Sequence, residues 1–187
     1  MSLTTFLVPT YRQMLQTLSA WLDKAQAQKP EEAEALLSAR IAPDMFPLST
    51  QIRFACVQAQ EGVFRLRGED FPASIDTLLN EGRNAGEHSG SIADAQARIA
   101  ETVALLDTLA PDALDVDPET PIAHALPMGM IFDMTAEQYV RDWTMPQVYF
   151  HLMIAYAILR GAGVELGKVD YVTHMFAYLR PGTAPAQ

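Results

Sequence analysis

The stretch from Val148 to Leu159 constrains the fold most strongly, because every residue in it except His151 is apolar. We place a helix over residues 145–161, since Pro146 suits a first helical turn and Gly161 suits a helix end. A helix that is apolar on all sides has to be covered on several of them. The segment therefore predicts a helical core, with this helix either central or part of a subunit interface.

Three further stretches repeat apolar residues every three or four positions, the spacing of an amphipathic helix. They predict helices over residues 4–27, 48–67 and 91–110. Pro47 favours the start of the second helix, and Ser91, followed three residues later by an acidic residue, is a cap for the third. Helices of about 17 to 24 residues measure roughly 25 to 36 Å. A four-helix bundle buries all four apolar faces, so we predict an all-α fold of that kind.

Residues 112–144 lose the helical spacing, and their prolines exclude a long helix. Ile122, His124 and Leu126 alternate with small or polar residues, and a similar alternation resumes after residue 129. This pattern predicts a short β-hairpin or an irregular insertion between the third and fourth helices. The glycine-rich stretch 81–90 has the composition of a surface loop.

A net charge of −10 over 187 residues limits the partners of the protein. This charge repels phosphate backbones and anionic lipid, which argues against binding of nucleic acid or membranes. No apolar run reaches the roughly 20 residues that cross a bilayer. Cys56 is the one cysteine, so no internal disulfide forms and a cytoplasmic protein is expected. We expect residues 1–187 to form a single domain, with a flexible carboxyl terminus at about 181–187.

The chain has no Gly-rich phosphate loop, HExxH, paired CxxC or GxSxG motif. Since these common catalytic motifs are missing, His151 is the strongest candidate for a functional side chain. An imidazole in an apolar helix has to be hydrogen-bonded, neutral through a lowered pKa, or a ligand. The simpler alternative is a core histidine satisfied by one partner. Gln147 lies one turn earlier on the same face. Gln51 and Gln58 share a face of the second helix, and the two faces together would line a cavity with three amides and one imidazole.

The run Phe150–Arg160, followed by Gly163–Lys168, resembles the fourth helix of the DinB-like superfamily, which is associated with metalloenzymes. It is closer to a branch of that superfamily labelled only as a domain of unknown function. Residues 42–48, before the second helix, and residues 143–151, leading into the fourth, are similar to that branch too. The resemblance covers nearly the whole chain and implies a four-helix bundle with a non-sequential connection, commonly dimeric.

The resemblance also implies where a metal site would lie. The superfamily usually uses three histidines, one on the second helix and two a turn apart on the fourth. The later histidine of the fourth helix corresponds to His151, the earlier one falls on Gln147, and the second-helix ligand falls near Ala55. Two of the three ligands are therefore missing, and neutral amides are poor substitutes for imidazole or thiolate.

Three other side chains are the remaining sources of donor atoms: Asp44, His124 and His174. Asp44 would have to swing in from the segment before the second helix. The two histidines would help only if the hairpin or the tail folds over the end of the bundle. We therefore expect no resident metal or cofactor, with a divalent transition metal as the disfavoured alternative.

Three functions follow from these features. The first is a bundle with a degenerate metal site that binds a small molecule in its core, in a pocket formed by His151, Gln147, Gln51, Gln58 and Asp44. The second is an active metal-dependent transferase or hydrolase of the DinB-like kind, in which His151 would be a ligand and not a general base. The third is a non-catalytic homodimeric scaffold or interaction protein that pairs through the fourth helix.

Overall fold

The structure, a computed structural model that describes residues 2–183, is a helical bundle with one β-hairpin. The elements are α1 (Leu3–Gln28), α2 (Ala33–Leu36), α3 (Leu48–Leu66), α4 (Ala73–Asn84), α5 (Ile92–Asp107), β1 (Pro121–Ala125), β2 (Ile131–Thr135), α6 (Ala136–Gln138), α7 (Met145–Gly161) and α8 (Lys168–Tyr171). A π-helical turn, Tyr139–Thr144, joins α6 to α7, and a 3₁₀ turn, Thr173–Tyr178, follows α8. The predicted fold class is confirmed.

The four long helices α1, α3, α5 and α7 pack in the cyclic order α1, α5, α3, α7. The helices therefore do not pack in the order in which they follow each other in the sequence. The family resemblance implied such a non-sequential connection. Each helix buries one apolar stripe, and the fully buried Trp21, Tyr11 and Tyr139 are the largest side chains between them. Because burial of a large apolar side chain contributes about 1.5–3 kcal/mol, these stripes provide most of the favourable free energy of folding.

The helix at the centre of the bundle is α3 and not the apolar α7. It contacts α7, α4 and α5 along its length, and even its polar residues near the amino-terminal end are buried. One face of α7 stays open in the single chain, where Phe150 is 56% and Met153 is 41% exposed. Of the two predicted alternatives for this helix, the central position is therefore not observed, because α3 and α1 cover only the opposite face of α7.

The hairpin lies where the alternating pattern placed it. In its antiparallel register Ile122 pairs with Met134 and His124 pairs with Phe132. Thr135 and Gln138 then form a capping box that starts a helix at Ala136. The fourth helix therefore begins earlier than residue 145 and passes through the π-helical turn. Pro146 lacks the amide that a regular helix requires, which is consistent with irregular geometry just before it.

The predicted surface loop over residues 81–90 begins later than expected, because α4 continues to Asn84 and residues 85–90 alone are non-helical. Gly82 lies inside this helix and is buried, and a Cβ atom there would meet the Phe54 ring at 2.5 and 2.7 Å. The glycine thus permits close packing of α4 on α3, where its composition suggested a loop. The third predicted helix also ends earlier, at Asp107.

Part of the predicted flexible tail, residues 184–187, lies outside the described residues. Within residues 2–183, no helix combines the length and the apolar character needed to span a bilayer.

Candidate functional site

The site is built around His151 and Gln51, which face each other where α7 packs against α3. The Nδ1 atom of His151 lies 2.9 Å from the Oε1 atom of Gln51, and the two residues are only 8% and 3% exposed. Both side chains point inward because the residues around them, Ile52 and Leu152, belong to the apolar stripes that hold the two helices together. The packing of α3 on α7 therefore sets this contact.

Three phenylalanines frame the imidazole. The rings of Phe54 and Phe150 meet it edge to face, with centroid distances of 5.4 and 5.3 Å. Phe46 packs against Phe54 at 5.7 Å, and both Phe46 and Phe150 keep about half of their surface exposed. The result is an imidazole set in an aromatic surface that reaches solvent.

The hydrogen bonds of Gln51 fix the tautomer of His151. The Nε2 atom of Gln51 donates to the main-chain carbonyl of Phe46 at 3.2 Å, so its Oε1 atom is the acceptor facing the imidazole. The Nδ1 atom of His151 must then carry the proton. In the neutral ring, Nε2 is left with a lone pair and makes no hydrogen bond within residues 2–183.

Burial keeps this imidazole neutral. It lowers the pKa of His151 to about 4, because the charged ring would lose its hydration. Gln51 carries no charge and cannot offset that loss. At neutral pH the site therefore offers an uncharged ring whose Nε2 atom accepts a hydrogen bond or donates a lone pair.

The other predicted pocket residues do not join this contact. Gln147 is half-buried one turn before His151, and Asp44 is exposed on the segment before α3. Gln58 lies about two turns along α3 from Gln51. Its side-chain Oε1 atom is buried without a hydrogen-bond partner within residues 2–183, and its main-chain carbonyl accepts a hydrogen bond from Oγ1 of Thr144 at 3.2 Å. Of the predicted set, the structure brings together only His151 and Gln51.

The remaining two histidine candidates have surroundings of their own. His124 is 3% exposed and its ring lies 4.2 Å from that of Trp143. Burial, together with the charge of Arg65, lowers the pKa of His124 to about 4. His174 lines a cleft beside α1 with Gln13 and other residues. Within residues 2–183, no three His, Cys, Asp or Glu side chains come together in a group that could hold a metal ion.

The surroundings of His124 are a feature that the sequence pattern did not reveal. Both ring nitrogens of His124, the indole nitrogen of Trp143, the hydroxyl of Tyr139 and the Nε atom of Arg65 are buried and have no partner within the described part of the chain. These residues come from β1, the π-helical turn and α3. The aromatic frame of His151 was also missed, although the spacing of Gln51 and Phe54 places them on one face of α3.

The chain matches a protein family and is similar to solved structures. The family model described as "Domain of unknown function (DUF1993)" matches residues 3–172. The chain is also similar to a DinB family member protein from Shewanella denitrificans, solved by crystallography, with 29% sequence identity and a TM-score of 0.73. That alignment covers 98% of this chain and 96% of the other. No curated protein matches the sequence.

Proposed function

The chain belongs to the DUF1993 family of the DinB-like superfamily, and on this premise we propose that it binds a small, uncharged molecule at His151. The observation that carries the proposal is the hydrogen bond between His151 and Gln51. It commits Nδ1 as a donor and orients the ring, so that Nε2 is the atom left to meet a ligand. A pre-oriented polar atom in apolar surroundings is typical of small-molecule sites.

The chemistry around the ring favours a neutral ligand that donates a hydrogen bond, such as an alcohol, a phenol or an amide. A charged ligand would lose its hydration against Phe46, Phe54 and Phe150 without meeting an opposite charge. Asp44 is exposed before α3 and, like Gln147, makes no side-chain hydrogen bond within residues 2–183. We assign both to the periphery of the proposed site.

A metal-dependent transferase or hydrolase is the alternative that the superfamily suggests, but the residues at hand do not fit a metal. A divalent transition metal needs three or four N, O or S donors. His151 offers one, and the amide oxygen of Gln51 already accepts a hydrogen bond from it. We therefore propose that the metal site is degenerate.

Nuclear magnetic resonance tests the proposal through the Cε1–H signal of His151. We expect benzyl alcohol or benzamide to shift this signal saturably, and benzoate and benzylamine to leave it in place. Because His151→Leu removes this signal, calorimetric titration with the same neutral probes tests that variant and should show no binding. His174→Leu, at a half-buried histidine elsewhere, should keep both the binding and the shift of the His151 signal. No response to either neutral probe, or an equal response to the charged ones, would contradict the proposal.

Elemental analysis of protein purified without chelators tests the metal alternative. Stoichiometric zinc or nickel that disappears in His151→Ala would overturn the degenerate site. We expect the metal content of wild type and of this variant to be equal and far below one ion per chain.

The exposed face of α7 supports a second proposal, that two copies of the chain pair as a homodimer. Phe150 and Met153 lie about one helical turn apart on this face, and Phe46 lies near them through its contact with Phe54. Apolar patches of this kind commonly mark protein interfaces. A second copy seated here would also cover the open side of the His151 site.

A further inference from the structure

A polar cleft of about 730 Å³ lies between α4, the segment 88–90 and the start of α5, with α3 as its floor. Its volume falls within the range of about 300–1,000 Å³ that is typical of small-molecule sites. It shares no lining residue with the His151 site.

The floor of the cleft is the guanidinium of Arg53, whose side chain is only 4% exposed. Its Nη1 atom donates to the carbonyl and hydroxyl oxygens of Ser49, and its Nε atom donates to Glu81 at 3.3 Å. Its Nη2 atom makes no hydrogen bond within residues 2–183. A buried arginine is thus held rigidly, with one of its nitrogens uncommitted.

Gly90 leaves room for this nitrogen. A Cβ atom at Gly90 would lie 2.8 Å from Nη2 of Arg53, and the backbone there has a φ of +69°. Any other residue would therefore be strained and would crowd the guanidinium. The glycine brings the backbone close to Arg53 without covering Nη2 with a side chain.

Two guanidiniums share one carboxylate in the wall of the cleft. Glu81 accepts hydrogen bonds from Arg98 as well as from Arg53, and these contacts lower the pKa of Glu81. Arg98 has a second acid, Glu101, outside the cleft. Arg53 forms its ion pair with Glu81, and the Asp94 carboxylate lies close to it as well, because Oδ2 of Asp94 would be 3.3 Å from the same Cβ position at Gly90. The exposed Asp94 at the rim accepts from Ser91, and water screens its charge.

We propose that the cleft binds the carboxylate of a small organic acid, with Nη2 of Arg53 as the principal donor. Guanidinium–carboxylate hydrogen bonds are charge-assisted and about twice as strong as neutral ones. Asn80 and Asn84, one turn apart on α4, line the cleft and bring amide groups for the rest of the ligand. Glu81, Asp94 and the net charge of −10 disfavour a dianion, so the ligand is a monoanion.

Titration with sodium acetate at constant ionic strength tests this assignment. We expect the backbone amide signals of residues 88–98 to shift saturably, with a dissociation constant of about 1–10 mM. The His151 Cε1–H signal should not move, which separates this site from the one in the proposed function. Sulfate should bind at least about tenfold more weakly than acetate, because it is a dianion at neutral pH.

The change Ala97→Phe fills the cleft from its exposed α5 wall and leaves the contacts of Arg53 in place. It should weaken acetate binding by at least about tenfold. The control Ala100→Phe adds the same ring to an exposed position on α5 that does not line the cleft, and should bind like wild type. A shift in wild type that does not saturate, equal binding by Ala97→Phe, or sulfate binding as tight as that of acetate would each overturn the proposal.

Discussion

His151 and Gln51 lie one hundred residues apart in the sequence, and their side chains meet at 2.9 Å between Nδ1 and Oε1. The contact joins the central helix α3 to α7 and determines which ring nitrogen carries the proton. It also has no charged member, which separates it from a histidine–carboxylate pair. Changing this one amide therefore changes the electrostatics of the imidazole in a predictable direction.

Gln51→Glu should raise the pKa of His151 above its present value of about 4, because a carboxylate beside the ring stabilises the imidazolium. We expect an increase of about 1–3 units. Gln51→Leu removes the acceptor and leaves Nδ1–H unpaired, at a cost of about 1–3 kcal/mol in the free energy of unfolding. Titration of the His151 ring signals measures the first effect and urea denaturation the second. An unchanged pKa in Gln51→Glu would contradict the described contact.

Acidification should destabilise the protein between about pH 6.5 and pH 4. The pKa of both His124 and His151 falls from about 6.5 in an unfolded chain to about 4 in the fold. Between these values the unfolded chain binds more protons, so stability is lost as the pH falls, by at most about 1.4 kcal/mol per pH unit for each histidine. Burial raises the pKa of Glu61, which acts in the opposite direction.

Urea denaturation at several pH values measures this dependence. His151→Phe and His124→Phe should each flatten the slope between pH 6.5 and 4, and His88→Phe, at an exposed loop position, should not. A slope that is unaffected by both buried substitutions would show that other groups control the acid sensitivity.

Two buried glycines should tolerate no side chain. A Cβ atom at Gly62 would lie 2.7 Å from the Thr144 hydroxyl and 3.0 Å from that of Tyr11, and one at Gly82 would meet the Phe54 ring. We expect Gly62→Ala and Gly82→Ala each to lower the free energy of unfolding by about 1–3 kcal/mol through overpacking.

Gly161 provides the control for these two substitutions, because it ends α7 and, among the described residues, a Cβ atom there would have no atom within 4 Å beyond its chain neighbours and the backbone of its own helix. Gly161→Ala should raise stability by up to about 1 kcal/mol, since alanine favours a helix. Thermal unfolding of the three variants under one condition compares them. Equal effects at all three positions would argue against the described packing of α4 and the π-helical turn.

Pairing of two chains should depend on the exposed face of α7. Light scattering at micromolar concentration should give the mass of a dimer for wild type and of a monomer for Phe150→Asp, because a carboxylate in an apolar interface loses its hydration without compensation. Met175→Asp changes a similarly exposed apolar residue, 52% against 56%, outside α7 and should leave the dimer intact. A monomeric mass for wild type would contradict the proposed homodimer.

Local sequence patterns predicted much of the fold. The period of the apolar residues located the long helices, Ser91 with the acidic Asp94 marked one helix start, and the alternation around His124 located the hairpin. These features depend on residues within a few positions of each other, so they can be predicted from the sequence alone. The helix α4 was not predicted, because Gly82 is typical of a loop in sequence terms. Its role in the structure is to let α4 pack closely against the Phe54 ring, and that contact is visible only in the tertiary structure.

The sequence by itself determined that a single imidazole would lie in an apolar helix of a bundle, because helical periodicity and hydrophobicity are properties of neighbouring residues. Tertiary structure decided that Gln51 would be its partner, that α3 and not α7 would be central, and that Arg53 would form the floor of a cleft. Each of these depends on the order and register in which distant helices pack. That register is the sum of many small contacts across the whole core, and no local pattern contains it.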